Sequence, residues 1–495
     1  YTTSGDITLQ GITAGSLTVN NQGPTAGSGI SLGDTTLTGN LTLEIASGNI
    51  TQSGALSVGG TTAISAATNS VTLDNAANNF TGSVLVASGG NVTVKDANSL
   101  TLGAWSVSGD LLAQALGGDL TLSGNISKTS GSDATATFKA TGNITMNDGV
   151  SLSSSNNKLN TIFWSDSDSN SSGGIYIGTN DANPGATITA NGGNITMGGG
   201  ADPATGYAYA DGTTAGAGVR GVGTYFRAGV DIRSSTINSG GGNISLRGQG
   251  YNSASDNSGD FSLGVLLGGT VIGTQVDSGT GTISIDGIAR GLNNVNSQGV
   301  NTNTDGVTVK SANTTASAIS ITGSSAGVSA GFASIGVNHA GTIAATGAGG
   351  GITINATGGS AGYNFGFQPA GTVLAASGPI TITAARSGGS YNDMQWGGVT
   401  IGQKAGSLVT ASSSNITINA DTWSALDGNT RIASSGTLTI QPRTASTTVG
   451  IAGGTGTLSL LPSYFSTNFT NGFSNITVGS ATAGNLSVGT NALTY

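Results

Sequence analysis

The chain has 495 residues, 86 of them glycine, 7 proline and none cysteine, with 7% charged and 5% aromatic residues and a net charge of −9 from 23 acidic and 14 basic side chains. Scarce proline without a glycine period of three excludes collagen, and 36% apolar residues set in short ordered runs argue against disorder. Without cysteine there is no disulfide framework, thiolate metal site or thiol nucleophile. Without a basic stripe nucleic acid is a poor partner, and no stretch approaches the ~18 apolar residues of a membrane helix, so no membrane insertion is expected.

Composition is uniform from end to end, which favours one elongated architecture over separate globular domains. Tyr1 is followed directly by repeats, with no charged and apolar leader, so a processed protein or internal fragment is expected. One phrase then recurs: Gly, a small residue, apolar, Thr or Ser, apolar. It reads GDITL at Gly5–Leu9, GNLTL at Gly39–Leu43, GNVTV at Gly90–Val94, GDLTL at Gly118–Leu122, GNITM at Gly142–Met146 and Gly193–Met197, and GNISL at Gly242–Leu246. Shorter copies follow at Gly351–Ile354, Pro379–Ile382, Asn415–Ile418, Thr437–Ile440, Asn475–Val478 and Asn485–Val488. Alternation of apolar and hydroxyl residues is the period of a strand with one buried face. The preceding glycine, asparagine or aspartate is read as the turn residue, supplying a positive φ or a side-chain bond to its own backbone.

Spacing selects the architecture. The phrase steps by 21 residues from Val71 to Val92, 20 from Leu100 to Leu120, 22 from Ile416 to Leu438 and 20 from Leu438 to Leu458. Coils of ~20 residues with two or three short strands each predict an all-β, right-handed parallel β-helix with a thin aliphatic core. About 18 to 22 coils at ~4.8 Å each would give a shaft on the order of 100 Å long. Like side chains then stack on like, so identical charges repel while Asn, Thr and Ser ladders hydrogen-bond, which accounts for the missing charge.

Three regions are expected. Residues 1–160 form short regular coils. In 161–410 the steps lengthen, to 49 residues from Ile195 to Ile244, 39 to Ile283, 33 from Ile319 to Ile352 and 36 from Ile380 to Ile416; the extra residues leave the stack as loops or added strands. In 411–495 short coils resume, interrupted by one aromatic excursion at Leu461–Phe473.

These phrases, including SGNIT at Ser47–Thr51 and GGNITM at Gly192–Met197, resemble the repeat region of filamentous haemagglutinin-type exoproteins of two-partner secretion systems; large autotransporter passengers use similar repeats. The resemblance covers nearly the whole chain. It implies a non-catalytic adhesin shaft at the surface of a Gram-negative bacterium, exported with an outer-membrane secretion partner. Such a shaft would attach cells to a host surface, to each other or to biofilm matrix through a carbohydrate, matrix or host-surface ligand. Lateral self-association is a further expectation, and a stalk carrying a toxin or effector would look the same. The family's amino-terminal secretion domain is usually marked by Asn-Pro-Asn-Gly-like motifs; only Asn183-Pro184-Gly185, in mid-chain, comes near, so that domain is expected to be absent.

Candidate chemistry is sparse, and no cofactor is expected. In SDSDSNSSG, Asp166, Asp168 and Asn170 alternate as in the opening of a calcium loop, but no glutamate closes it, so a solvated polar loop is the preferred reading. A polysaccharide-degrading β-helix enzyme is the rival class and needs clustered carboxylates with Arg or Lys. Its best local candidates are Arg220, Arg227, Asp231 and Arg233, with Asp231 and Arg233 read as a surface ion pair. His339, the single histidine, is read as a loop or turn residue. Tyr207, Tyr209, Tyr225, Tyr391 and Trp396 are the candidate sugar-stacking residues, against the preferred reading that aromatics fill the enlarged coils. Tyr363, Phe365 and Phe367 are expected to point inward together. Sequons at Asn40, Asn49, Asn143, Asn194, Asn243 and Asn415 follow from the repeat grammar and do not argue for glycosylation.

Overall fold

The computed structural model describes residues 5–22, 27–178, 184–210, 226–251, 261–269, 273–290, 296–302, 306–325, 333–360, 363–389, 391–470 and 472–495. The chain is a parallel β-helix, built of short strands stacked coil on coil. It comprises two compact units: residues up to 178, 184–210 and 236–242 make the first, and 226–235 and those from 243 onward make the second.

In the first unit Ile7, Ile30, Ile50, Val71, Val92 and Leu111 lie in one column at steps of 19 to 23 residues. Ala136, Thr161 and Ile195 continue it as the coils lengthen. A second sheet stacks Leu17–Asn21, Leu41–Ile45, Thr62–Ser65 and Val84–Gly89. A short third one stacks Ile12–Ala14, Thr35–Leu37, Leu56–Val58 and Asn79–Phe80. Alternation does what a one-sided strand requires: in Leu41–Ile45, Leu41, Leu43 and Ile45 are buried, while Thr42 and Glu44 lie outward.

In the second unit Ile244, Ile283, Ile319, Ile352, Ile380, Ile416, Leu438 and Ile476 form the equivalent column. Much of the extra length of these coils is an added strand: Phe226–Arg233, Phe261–Gly268, Asn296–Thr302, Ala333–His339 and Tyr363–Pro369 stack in register. Each carries a glycine followed by Val or Phe, at Gly229, Gly264, Gly299, Gly336 and Gly366. A Cβ on Gly264 would stand 2.4 Å from the Gly299 carbonyl oxygen and one on Gly287, in the facing strand Ile283–Ala289, 2.0 Å from that same atom. Two sheets are thus pressed backbone to backbone along a glycine seam.

The last step read from the sequence is corrected. Leu438 stacks on Ile476, 38 residues on, whereas Leu458 pairs with Val449 in a small separate sheet that also holds Leu486–Val488. Nine residues suffice to return the chain there because glycines permit contact: a Cβ on Gly456 would lie 2.2 Å from the Gly450 nitrogen. The aromatic excursion also belongs to the core. Tyr464, Phe465, Phe469 and Phe473 are buried, and a π-helical turn at Tyr464–Asn468 turns them inward.

The grammar of the phrase has a cause other than the local turn. Asn40 accepts the Thr61 N–H (2.9 Å), Asn49 that of Ser70 (3.1 Å), Asn143 that of Gly174 (2.8 Å), Asn243 that of Thr282 (2.9 Å) and Asn415 that of Thr437 (3.0 Å). Each asparagine bridges to the following coil through its Oδ1, which fixes the same side-chain amide whose Nδ2 a sequon would present. The glycine before it is needed for close approach: only Gly48 has a left-handed φ (79°), while a Cβ on Gly39 would meet the Gly15 carbonyl oxygen at 2.6 Å and one on Gly193 that of Leu159 at 2.3 Å.

Stacking also governs charge. Charged residues in register are opposite: Arg247 lies over Asp286 (3.0 Å) and Lys310 over Asp277 (2.7 Å). In the column Lys95, Gln114, Lys139, Trp164, a glutamine separates the two lysines and Lys139 Nζ sits 3.5 Å from the Trp164 ring centroid. Burial, then the Lys95 charge, lower the Lys139 pKa. Where charge is absent, amides ladder instead: Asn419 donates to Thr383 (3.1 Å) and Gln441 to Asn419 (2.8 Å).

Candidate functional site

The loop bearing Asp166, Asp168 and Asn170 closes on itself. Asp166 is 1% exposed with φ 48°, and its Oδ1 accepts the Ser172 N–H (3.2 Å); Asn170 donates to Asp168 (2.8 Å). Burial, with the Asp168 charge adding to it, pushes the Asp166 carboxyl up against the backbone bonds that favour its charged form. Far from being a solvated acid, Asp166 is a buried anchor of the loop. Among the described residues no group of three or more His, Cys, Asp or Glu side chains is placed to hold a metal ion.

Asp231 and Arg233 do share a face of strand Phe226–Arg233, but they are buried, not a surface pair. Arg233 Nε lies 2.8 and 3.0 Å from the two Asp231 carboxylate oxygens and Nη2 2.7 Å from Oδ2, with both side chains 3% exposed. In a strand covered on both faces the two outward positions have become interior, which leaves fork-to-carboxylate pairing as the arrangement that keeps both charges hydrogen-bonded. Arg227 lies in the same strand. Arg220 and Tyr225 lie outside the described residues.

His339 is likewise interior. It ends strand Ala333–His339, stacks over Thr302 and is 1% exposed. Its Nε2 lies 3.1 Å from the Thr372 carbonyl oxygen, an acceptor only, which places the proton on Nε2 and makes Nδ1 the acceptor of the Thr302 hydroxyl at 2.8 Å. Desolvation lowers its pKa from 6.5 to about 4. The unfolded chain therefore binds the proton first: the neutral form is undisturbed above pH ~6.5, and stability falls as pH drops from ~6.5 towards ~4, by about 3 kcal/mol at the bottom of that window. Urea unfolding of wild type and His339→Asn at pH 7.5 and pH 4 checks this; the difference between the two proteins is expected to shift by that amount, and a pH-independent difference contradicts it.

The aromatics divide by position. Trp396 is buried and packs edge-on to Trp423 (5.8 Å), which packs on Tyr464 (6.5 Å), and Tyr464 on Phe469 (6.4 Å), an internal column through successive coils. Tyr207 and Tyr209 are half-buried; the Tyr209 backbone bridges antiparallel to Gly173 and closes the 200–210 excursion onto the aspartate loop. Tyr363, expected to point inward, is 54% exposed, whereas Phe365 and Phe367 are buried. It stands at the outer end of its strand and meets Tyr391, 37% exposed, with ring centroids 5.0 Å apart and planes at 38°; Phe365 meets the same ring edge-on at 5.7 Å.

Beside this pair lies a run of charges that no short sequence window shows. Arg386 Nε is 3.5 Å from Asp393 Oδ1, Asp393 Oδ2 accepts the Asp421 (2.7 Å) and Thr422 (3.1 Å) N–H groups, and Asp421 is 3.3 Å from Arg443. Burial pushes the Asp393 carboxyl up despite those bonds. At Asp421 burial acts in the same direction but is outweighed by hydrogen bonds from Thr444 and the Arg443 charge, and its pKa is lowered. The members lie one coil apart, at 393, 421 and 443, so only the coil step would have revealed the column.

Fold and surface together define a parallel β-solenoid whose coils are tied by polar ladders. A family model described as repeats of unknown function (DUF5649) matches residues 24–87 and 89–162, and the chain is similar to that family over these regular coils. No curated protein matches the chain, and no solved structure does.

Proposed function

We propose that the chain is a non-catalytic adhesive scaffold, exported by a Gram-negative bacterium and displayed at its surface, where it attaches cells to a host, to neighbours or to biofilm matrix. The observation that carries this reading is the outward face of the second unit. Ser245, Ser284, Ser320, Thr353, Thr381, Thr417, Thr439 and Thr477 form one register-matched hydroxyl column. An uncharged surface of this kind offers hydrogen bonds without electrostatic steering, suited to multiple weak contacts with a polymer or a matrix. The rival enzyme reading would draw on Arg386, Asp393, Asp421 and Arg443. Against it, both Asp393 oxygens already hold partners and the side chain is 4% exposed, and Asp421 is likewise held, by Thr444 on both oxygens and by Arg443, so each of the two carboxylates is engaged in tying coils together.

The test is a solid-phase screen of the purified chain against glycans and matrix proteins, run beside an assay for reducing ends and unsaturated products from polysaccharides. Saturable binding without turnover is the expected result. Release of products that is lost in Asp393→Asn would replace the adhesin by the enzyme.

A further inference from the structure

We propose that Tyr363 and Tyr391 form a stacking platform for one ring of a neutral oligosaccharide; the inference rests on the adhesive reading above and names its contact. Four observations converge on it. First, the two rings are the exposed aromatics of the enlarged coils among the described residues, 54% and 37% exposed. A partly apolar, partly hydroxylated ring face is the surface that a tyrosine pair complements, its ring meeting C–H groups and its phenol the hydroxyls.

Second, the platform is held in place before any ligand arrives. Asn364 is buried between the two tyrosine-bearing segments and donates from Nδ2 to the Gly359 (2.8 Å) and Gly388 carbonyl oxygens. Arg386 Nη1 reaches the carbonyl oxygens of Gly388 (3.4 Å) and Gly389. Phe365 supports the Tyr391 ring from below (5.7 Å). Rings already ordered lose little freedom on binding, which raises the affinity available from a small contact.

Third, Asn364 Oδ1 is buried without a hydrogen-bond partner. A polar atom is rarely left so unless the surrounding geometry is imposed for another reason, here the fastening of the 387–389 turn against the strand that carries Tyr363. Fourth, local charge is balanced. Among the described residues the cation beside the platform is Arg386, and its pairing with Asp393 removes the charge that would select an acidic sugar. The patch is also far smaller than the ~800 Å² per partner of a stable protein interface, which favours a saccharide over a protein.

The experiment titrates soluble neutral oligosaccharides, namely mannan, galactan and N-acetylglucosamine oligomers, and a polyuronate, into wild type, Tyr391→Ala, Tyr363→Ala and Tyr391→Trp, followed by saturation-transfer NMR and calorimetry. Wild type is expected to bind at least one neutral oligomer. The affinity should fall about tenfold in either alanine variant, as when one ring face is withdrawn, and be kept by the tryptophan variant. It should change little between low and high salt. Thermal unfolding of the variants reports separately on folding. Undiminished binding by both alanine variants overturns this inference and leaves the adhesive reading standing; salt-sensitive binding of the polyuronate alone overturns the neutral-sugar assignment. No saturable binding of any glycan or matrix protein by wild type overturns both.

Discussion

Replacing Gly287 by alanine is expected to destabilise the second unit by about 3–5 kcal/mol, an effect at the extreme of single-methyl additions. The new Cβ would stand 2.0 Å from the Gly299 carbonyl oxygen, 2.7 Å from its carbon and 2.9 Å from Val300 Cγ2. Two of these atoms are backbone belonging to a strand paired on both sides, Phe261–Gly268 and Ala333–His339, so none can yield alone. The seam itself shows where the limit lies. Gly248, Gly287 and Gly323 succeed one another in register, then Ala356 and Ala384 occupy the same column, so a methyl enters this column only two coils further on, and there the facing strand keeps a glycine, Gly366, whose Cβ would stand 2.4 Å from the Ala385 carbonyl oxygen. Gly428→Ala, with open space around the position, is the matched control and should stay within ~0.5 kcal/mol. Urea unfolding of both variants decides the matter. Because stacked repeats unfold with nearest-neighbour coupling, loss of a single sharp transition in Gly287→Ala would equally mark the break.

Arg233→Met should cost about 3–5 kcal/mol, because it leaves the Asp231 carboxylate, 3% exposed, without its guanidinium. The second change is informative. In the next coil Leu266 occupies the position of Asp231, before the column turns polar at Asn301, so Asp231→Leu added to Arg233→Met sets leucine against leucine and should recover most of the loss. A double variant as unstable as the single one would mean that the pair does more than neutralise itself. It would then be the place to look for function in the added strand.

How much of this was legible in the chain itself follows from what each residue has to satisfy. The columns through Ile50, Val71 and Val92 and through Ile283, Ile319 and Ile352 were readable because each apolar residue meets its equivalent one coil away, and a local pattern repeated at one step is enough to define that contact. Opposite charges in register, Arg247 on Asp286, follow from the same rule. The glycine seam was readable in principle, as a Gly-Val or Gly-Phe pair recurring at Gly264, Gly299, Gly336 and Gly366, but its 30-to-37-residue period is irregular and the phrase around it is not amphipathic. Alternation misplaced Tyr363 because it assumes one wet face. The added strand has both faces covered along most of its length and exposes only its end, so exposure there depends on position along the strand and not on parity.

The sequence by itself thus determined the solenoid, its sparse charge and its coil steps up to Leu438, since all three arise from each coil contacting a copy of its own grammar; the step beyond Leu438 it misread, because the separate sheet of Val449, Leu458 and Leu486 carries the same phrase. Only the tertiary structure decided that His339, Asp231 and Arg233 are interior and that the recurring asparagines tie coil to coil. It also decided that Tyr363 and Tyr391 meet at the surface. These depend on which segments cover a strand and which residues of different coils come to lie side by side, and that is a property of the closed stack, absent from any single repeat.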